Sequence, residues 1–136
     1  MDWKISFSIG VEEIDSQHRE LIDLFRSIVA SIEAGDSWSD THYRIVDLRR
    51  FAEFHFQFEE GLMRMFGYPQ AEAHAGNHKD FFTRLEAIER ISLQDSVHEE
   101  MVKFLYDWLT DHILHCDKEY ARHLLSGARV VPSVIP

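Results

Sequence analysis

The feature that most limits how this chain can fold is the helical spacing of its apolar residues, which recurs in four long stretches. We expect helices from about 15 to 34, from 39 or 40 to 66, from 70 to 91, and from 92 or 95 to 125. Within each stretch, apolar side chains return every three or four residues, the spacing that gives a helix one buried face. No stretch shows the alternation typical of a strand. The sequence therefore predicts an all-α protein.

Short links that contain glycine and proline separate these stretches. Gly67 and Pro69 follow the second stretch, Gly127 follows the fourth, and Asp15 is a candidate N-cap of the first. Short links favour antiparallel neighbours. We therefore expect an antiparallel up-down-up-down four-helix bundle with a short N-terminal arm and a C-terminal tail at 128–136, all within a single domain spanning 1–136.

Each predicted helix has one face on which mostly apolar side chains would meet the other helices. In chain order these faces comprise His18, Leu21, Ile22, Phe25, Ile28, Val29 and Ile32; Phe51, Phe54, His55, Phe58, Leu62 and Met65; His74, His78, Phe81, Leu85 and Ile88; and Val97, Met101, Leu105, Trp108, Leu109, His112, Ile113, Asp117, Tyr120 and Leu124. A histidine lies on every one of them. This pattern indicates a polar site inside the bundle.

Composition excludes several classes of partner. The formal net charge of −10 would repel nucleic acid and anionic lipid, and no apolar run approaches the roughly 20 residues of a bilayer crossing. The first residues lack the pattern of a secretory signal. The single cysteine, Cys116, cannot form a disulfide within the chain. We therefore expect a cytoplasmic protein that neither enters membranes nor binds nucleic acid.

Two of the predicted helices carry pairs of metal-capable side chains four residues apart. The pairs are His55 with Glu59, and His74 with His78. Four residues turn a helix by about 400°, so both side chains of each pair point in nearly the same direction. The fourth helix instead offers His112 and Asp117, five residues apart, which an α-helix would separate by about 140°.

That wider spacing leaves two arrangements open. Either His112 and Asp117 reach inward from opposite flanks of the helix, or a π-type bulge absorbs one residue. His115 also competes with Asp117 as the partner of His112, although a second bridging carboxylate suits a two-metal site better. The other histidines, His42 and His98 among them, are expected to be ordinary surface or core residues, as is His123.

The full donor set is too large for one metal ion. It comprises five imidazoles and two carboxylates: His18, His55, His74, His78, His112, Glu59 and Asp117. If both carboxylates and one solvent oxygen bridge two metals, the donors fill all but one position of two octahedra. Imidazole together with carboxylate suits iron. The vacant position would accept one small ligand.

Four segments, at 10–18, 55–59, 74–78 and 112–117, resemble the hemerythrin family, in particular its single-domain bacterial members. The likeness covers nearly the whole chain and lacks no ligand of the family pattern. It implies two iron ions with a bridging oxo or hydroxo group, which bind dioxygen reversibly. It also implies His74, His78 and His112 on one iron, His18 and His55 on the other, and Glu59 and Asp117 bridging the pair.

The resemblance further implies an apolar pocket for dioxygen. Its residues would be Leu21, Phe56, Trp108, Leu109 and Ile113, which without the resemblance read as ordinary bundle core.

The expected partners are dioxygen and an oxygen-consuming enzyme that receives it, and we expect a monomer. Two rival functions remain open: a sensor of oxygen or iron, and a di-iron redox enzyme such as a peroxidase or oxidase. Oxygen binding leads, because the chain has no Glu-x-x-His motif of the ferritin-like enzymes and no identifiable acid or base beyond the donor set.

Overall fold

The computed structural model of the chain describes residues 1–90 and 96–130, and over these residues the fold is all-α. A 3₁₀ turn at Ile5–Phe7 precedes four rods. They are α1 (Glu12–Glu33), α2 (Trp38–Met65), α3 (Ala71–Arg90), and a composite of α4 (Ser96–Asp111), a π-helical turn (His112–Asp117) and α5 (Lys118–Val130). We call this composite the fourth rod. The predicted four-helix bundle is confirmed.

Successive rods run in opposite directions. Gln17 near the start of α1 is hydrogen-bonded to His55 in the second half of α2, whereas Ser31 near the end of α1 is hydrogen-bonded to Thr41 at the start of α2. The same reversed order relates α2 to α3, α3 to the fourth rod, and the fourth rod to α1. The bundle is therefore up-down-up-down.

Helix ends differ from the prediction at the start of the first helix and at the end of the fourth. The first helix begins at Glu12, so Asp15 is not its N-cap. The buried carboxylate of Asp15 instead accepts hydrogen bonds from the backbone N–H of Ile9 at 2.8 Å and the hydroxyl of Ser8 at 2.6 Å, which ties the N-terminal arm to α1. The fourth rod continues through Gly127 to Val130. Its predicted end was therefore wrong, since a single glycine only weakens a helix.

Two predicted boundaries and most of the predicted tail lie outside the described residues. These are the end of the third helix at 91, the start of the fourth at 92 or 95, and the tail beyond 130. The ends of α1 and α2 are as expected, with Gly35 at φ +71° and Gly67 at φ +63°. This left-handed backbone conformation favours glycine after a helix.

The inward face of α2 was predicted wrongly in part. Phe54 and Met65 are 52% and 55% exposed. The buried face of α2 is instead formed by Thr41, Ile45, Leu48, Ala52, His55, Phe56, Glu59 and Met63. Aromatic residues occupy more than one side of this helix, so their positions alone do not show which side meets α1 and α3.

The main hydrophobic core joins all four rods. It contains Leu21, Phe25, Ile28, Ile45, Leu48, Ala52, Phe56, Phe81, Leu85, Met101, Phe104, Leu105 and Leu109. A second buried cluster, which includes Ile14, Met63 and Tyr120, lies among α1, α2 and α5. The predicted donor residues fall on buried faces between these clusters. Among the described residues, no helix is long and apolar enough to cross a membrane.

Candidate metal centre

Seven buried donor side chains from the four rods meet inside the bundle. They form two groups: Glu59, His74, His78 and His112; and His18, His55, Glu59 and Asp117. Within each group, one donor atom per residue lies within 4.8 Å of every other. All seven residues are at most 4% exposed. The structure thus brings together every residue that the sequence predicted as a donor.

The two carboxylates lie between the groups. One oxygen of Asp117, Oδ1, is 2.9 Å from Nε2 of both His74 and His112, while Oδ2 is 2.8 Å from Nε2 of His18. Oε1 of Glu59 is 2.7 Å from Nε2 of His55 and 3.8 Å from Nε2 of His78. Each carboxylate therefore faces histidines of both groups.

The π-helical turn resolves the five-residue spacing of the fourth rod. It spans His112–Asp117, and its wider hydrogen-bonded loop places residue i+5 one turn after residue i. His112 and Asp117 therefore share a face, as the bulge alternative predicted. His115 points away from the cluster, because its side chain is 74% exposed and lies 3.7 Å from Asp111. It is not a competitor for the place of Asp117.

Many polar atoms of the cluster are buried without a hydrogen-bond partner. Among the described residues these include Nε2 of His18, His55 and His74, and both carboxylate oxygens of Glu59 and Asp117. Some of these atoms lie less than 3 Å apart, yet not in the geometry of a hydrogen bond. Buried polar atoms without partners are costly. A metal ion would satisfy them, so the donor set fits metal ions, and its imidazole and carboxylate chemistry fits iron.

Electrostatics keep both carboxylates charged. Burial is the largest influence on the pKa of Glu59 and would raise it, as would Asp117, but the imidazoles of His55 and His112 bring it down to about 2. Burial is also the largest influence on the pKa of Asp117 and would raise it, but His112, His18 and His74 together hold that pKa well below its usual range. The centre of the bundle therefore holds two anions that attract a cation.

The histidines differ in charge. Burial and the neighbouring His112 lower the pKa of His78 to about 3. Burial would lower the pKa of His112 as well, but Asp117 raises it well above the usual value. Without metal, His112 therefore carries a proton where His78 does not. A metal ion would have to displace that proton.

Two further residues contact the donor histidines from outside the cluster. Nδ1 of His55 donates to Oε1 of Gln17 at 2.7 Å, and Nδ1 of His78 donates to Oε2 of Glu60 at 3.2 Å. Sequence reasoning missed both. The only signal in the sequence is position, because Gln17 directly precedes His18 and Glu60 directly follows Glu59.

The five predicted pocket residues occupy different places around the cluster. Phe56 stacks flat on His78, with ring centroids 3.9 Å apart, and Trp108 stacks on His112 at 4.4 Å. Leu21 and Leu109 are buried in the main core with Phe56. Ile113 is buried in a separate cluster with Phe7 and Ile22. The structure therefore brings Phe56 and Trp108 directly against donor histidines.

Tyr120 is a further buried neighbour of the site. Its ring lies 6.0 Å from that of His74, and its hydroxyl is buried without a hydrogen-bond partner among the described residues. Burial, together with Glu59 and Asp117, raises its pKa far above the usual value. The sequence predicted its inward position but no role for it.

Among the described residues, the other histidines and the cysteine lie outside both donor groups. His42 is partly exposed near Glu89, and Nε2 of His123 is 3.0 Å from the carbonyl oxygen of Phe66. The side chain of His98 lies outside the described part of the chain. Cys116 is half-buried and accepts a hydrogen bond from Asn77 at 3.8 Å. None of these described residues is a candidate donor.

The sequence matches the family described as the hemerythrin HHE cation binding domain over residues 9–124. It is 32% identical over 124 residues to a bacteriohemerythrin of Clostridium acetobutylicum, covering 87% of this chain and 96% of that protein. A bacteriohemerythrin of Stenotrophomonas maltophilia is 29% identical, with 88% and 78% covered. A myohemerythrin of Theromyzon tessulatum is also 29% identical, with 87% and 88% covered.

Proposed function

The chain belongs to the hemerythrin family, and on that premise we propose that it binds dioxygen reversibly at two iron ions inside the bundle. The observation that carries this proposal is the pair of overlapping donor groups linked by Glu59 and Asp117. One donor group alone would suit a single ion. Two groups that share Glu59, with Asp117 in contact with histidines of both, suit two ions side by side. Carriage, storage and delivery of oxygen are all served by such a site.

In this proposal, His74, His78 and His112 hold one iron, and His18 and His55 hold the other. Glu59 and Asp117 would contribute ligands to both ions, alongside an oxo or hydroxo group from solvent. The five imidazoles would divide unequally, three to two, which leaves room for one small ligand. When bound, the iron pair supplies the open position and the electrons with which dioxygen is held. The protein supplies the arrangement and the surroundings.

The surrounding side chains would keep water and protons away from the bound oxygen. Leu21, Phe56, Trp108, Leu109 and Ile113 offer only apolar atoms, apart from the indole N–H of Trp108. Excluding water and protons would slow irreversible oxidation of the iron pair and so leave it reusable. We propose no catalytic residue, so the protein would act as an oxygen-binding protein and not as an enzyme. We further propose a cytoplasmic monomer of one domain spanning 1–136, which could pass oxygen to an oxygen-consuming enzyme.

The experiment that tests the function measures iron per chain and the visible spectrum of the reduced protein as air is admitted and then removed. Two iron ions per chain and a visible band that appears and disappears with air are the expected results. One-way bleaching, or steady consumption of peroxide, would instead indicate a redox enzyme. If oxygen binding changed only the activity of a partner protein, that result would favour a sensor.

A further inference from the structure

Two donor histidines are each held from behind by a residue of α1 or α2, and these two residues differ in charge. His78 donates from Nδ1 to the carboxylate of Glu60, and His55 donates from Nδ1 to the amide oxygen of Gln17. Both acceptors leave the hydrogen on Nδ1 and the lone pair on Nε2. In both rings Nε2 is the atom that faces the other donors: it lies 2.7 Å from Oε1 of Glu59 in His55, and 3.1 Å from Nε2 of His112 and 3.8 Å from Oε1 of Glu59 in His78. Each contact therefore leaves the lone pair of Nε2 pointing into the cluster, where it could bind a metal ion.

His78 is fixed by a second contact from the same helix. Phe56 lies flat against its ring, with planes 6° apart. Glu60 follows Phe56 by four residues, so both side chains project from the same side of α2. The stacked ring sets the plane of His78, and the hydrogen bond sets its rotation within that plane. Together they leave the imidazole one orientation.

We propose that Glu60 and Gln17 are positioning residues that make the two halves of the metal site unequal. This inference rests on the proposed metal binding. A carboxylate that accepts from Nδ1 orients a histidine and strengthens Nε2 as a ligand, whereas a neutral amide orients the ring with a weaker electronic effect. The half with His74, His78 and His112 is thereby the tighter metal site. The half with His18 and His55 is the more exchangeable site.

The chain offers a matched control for the charge of Glu60. Glu60, which is 22% exposed, lines a surface cavity of about 260 Å³ together with Arg64, Ala71, Glu72 and Ala75. Glu72 has the same charge at the same cavity, and none of the described histidines donates a hydrogen bond to it. Removing the charge of Glu72 changes the field at the cavity without touching a donor ring. The variant E72Q therefore separates hydrogen bonding from general charge.

The test is a cobalt(II) titration of the metal-free protein, followed by visible absorption, in wild type and in E60Q, Q17E and E72Q. We expect two binding steps in the wild type. E60Q should weaken the tighter step by about 10- to 100-fold, the range typical of losing such a contact. Q17E should strengthen the weaker step and so reduce the difference in cobalt affinity between the two steps. E72Q should leave both steps unchanged.

A second measurement uses the metal-free protein alone. Nitrogen-15 spectra of the histidine rings should show His78 with its hydrogen on Nδ1 in the wild type and in E60Q, whose amide oxygen still accepts. In E60L, which cannot accept, the Nδ1 hydrogen of His78 should lose its hydrogen bond, so the nitrogen-15 shift of Nδ1 should move toward that of a free ring N–H. The same Nδ1 shift in E60L as in wild type would overturn the positioning role.

The outcomes also separate this inference from the proposed function. Unchanged cobalt steps in E60Q, or an equal loss in E72Q, would overturn the inference and leave oxygen binding standing. The predicted shifts in cobalt binding together with no reversible oxygen band would support the inference and contradict oxygen binding. A wild type that takes up no cobalt would overturn both.

Discussion

Asp117 illustrates how much of the site depends on single side chains. It is fully buried, its two oxygens face histidines of different donor groups, and its pKa is held well below the usual range. A buried anion without a compensating cation or hydrogen bonds is strongly unfavourable. A metal ion bound at this place would compensate the charge of Asp117.

Replacing Asp117 with asparagine keeps the volume but removes the charge and one oxygen donor. We expect the D117N variant to bind about one metal ion per chain or fewer, since a carboxylate that bridges two ions cannot be replaced by an amide. Iron analysis of the purified protein measures this. D15N is the control, because Asp15 is also buried but contacts the N-terminal arm. Two ions per chain in D117N would contradict the bridging role.

Leu109 tests whether the apolar surroundings keep the site dry. In Leu109→Thr, a hydroxyl would draw water toward the cluster, and we expect the oxygenated form to decay to the ferric form several-fold faster. The decay of the visible band in air measures this rate. Leu85→Thr is the comparison, since Leu85 is equally buried in the same core but belongs to α3. Equal decay rates in L109T and wild type would rule out the pocket role of Leu109.

At the level of elements, the π-helical turn determines whether the fourth rod can contribute two donors. A regular α-helix would turn Asp117 about 140° away from His112. The π turn accommodates one additional residue, and everything after it continues on the original face. His115, the exposed member of this turn, contributes no donor to the cluster. The additional residue therefore changes the helical turn of the backbone and adds no donor side chain to the cluster.

Deleting His115 should convert the π turn to an ordinary α-helical turn. The aspartate would then follow His112 by four residues and still face the cluster, so we expect metal content and helix content to remain near wild-type values. Metal analysis and far-ultraviolet circular dichroism measure both. Deleting Asp107, an exposed residue of α4, should abolish metal binding because it rotates the rod before His112 by about 100°. Loss of metal in the His115 deletion would show that the π geometry itself is required.

For the whole molecule, metal binding, protonation and folding are coupled. The four rods bring together two anions and five imidazoles that have few hydrogen bonds of their own. A ligand that binds only the folded state stabilises it. Metal ions should therefore raise the melting temperature of this bundle, and acid should act against them by protonating the histidines.

His112 determines the direction of the pH dependence. Its pKa in the metal-free protein is raised well above the usual value by Asp117, so we expect metal binding to displace a proton from it. Affinity must therefore fall as pH falls, by up to about tenfold per pH unit for each proton displaced. Glu59 and Asp117 do not limit binding until far lower pH, because the pKa of each is lowered.

Cobalt(II) titrations over a series of pH values from about 8 to about 5 check this expectation, which follows from proton competition for the ligands. A pH-sensitive dye in weak buffer would show the released proton directly. An affinity that stays constant across this range would mean that no imidazole proton is displaced.

The sequence by itself determined the helices and the donor set. Helix formation depends on residues three and four apart, and so does the alignment of His55 with Glu59 or of His74 with His78. These relations lie within one helix and can be read without knowing its neighbours. The resemblance to hemerythrins rests on the same local segments.

Tertiary structure decided what depends on more than one rod. It selected the π turn over the alternative in which His112 and Asp117 reach inward from opposite flanks, and it buried Phe56 in place of Phe54. It also brought Gln17 and Glu60 behind histidines of other helices. Each of these outcomes depends on how facing helices fill the space between them, and the spacing of residues along one helix carries no record of the helix opposite.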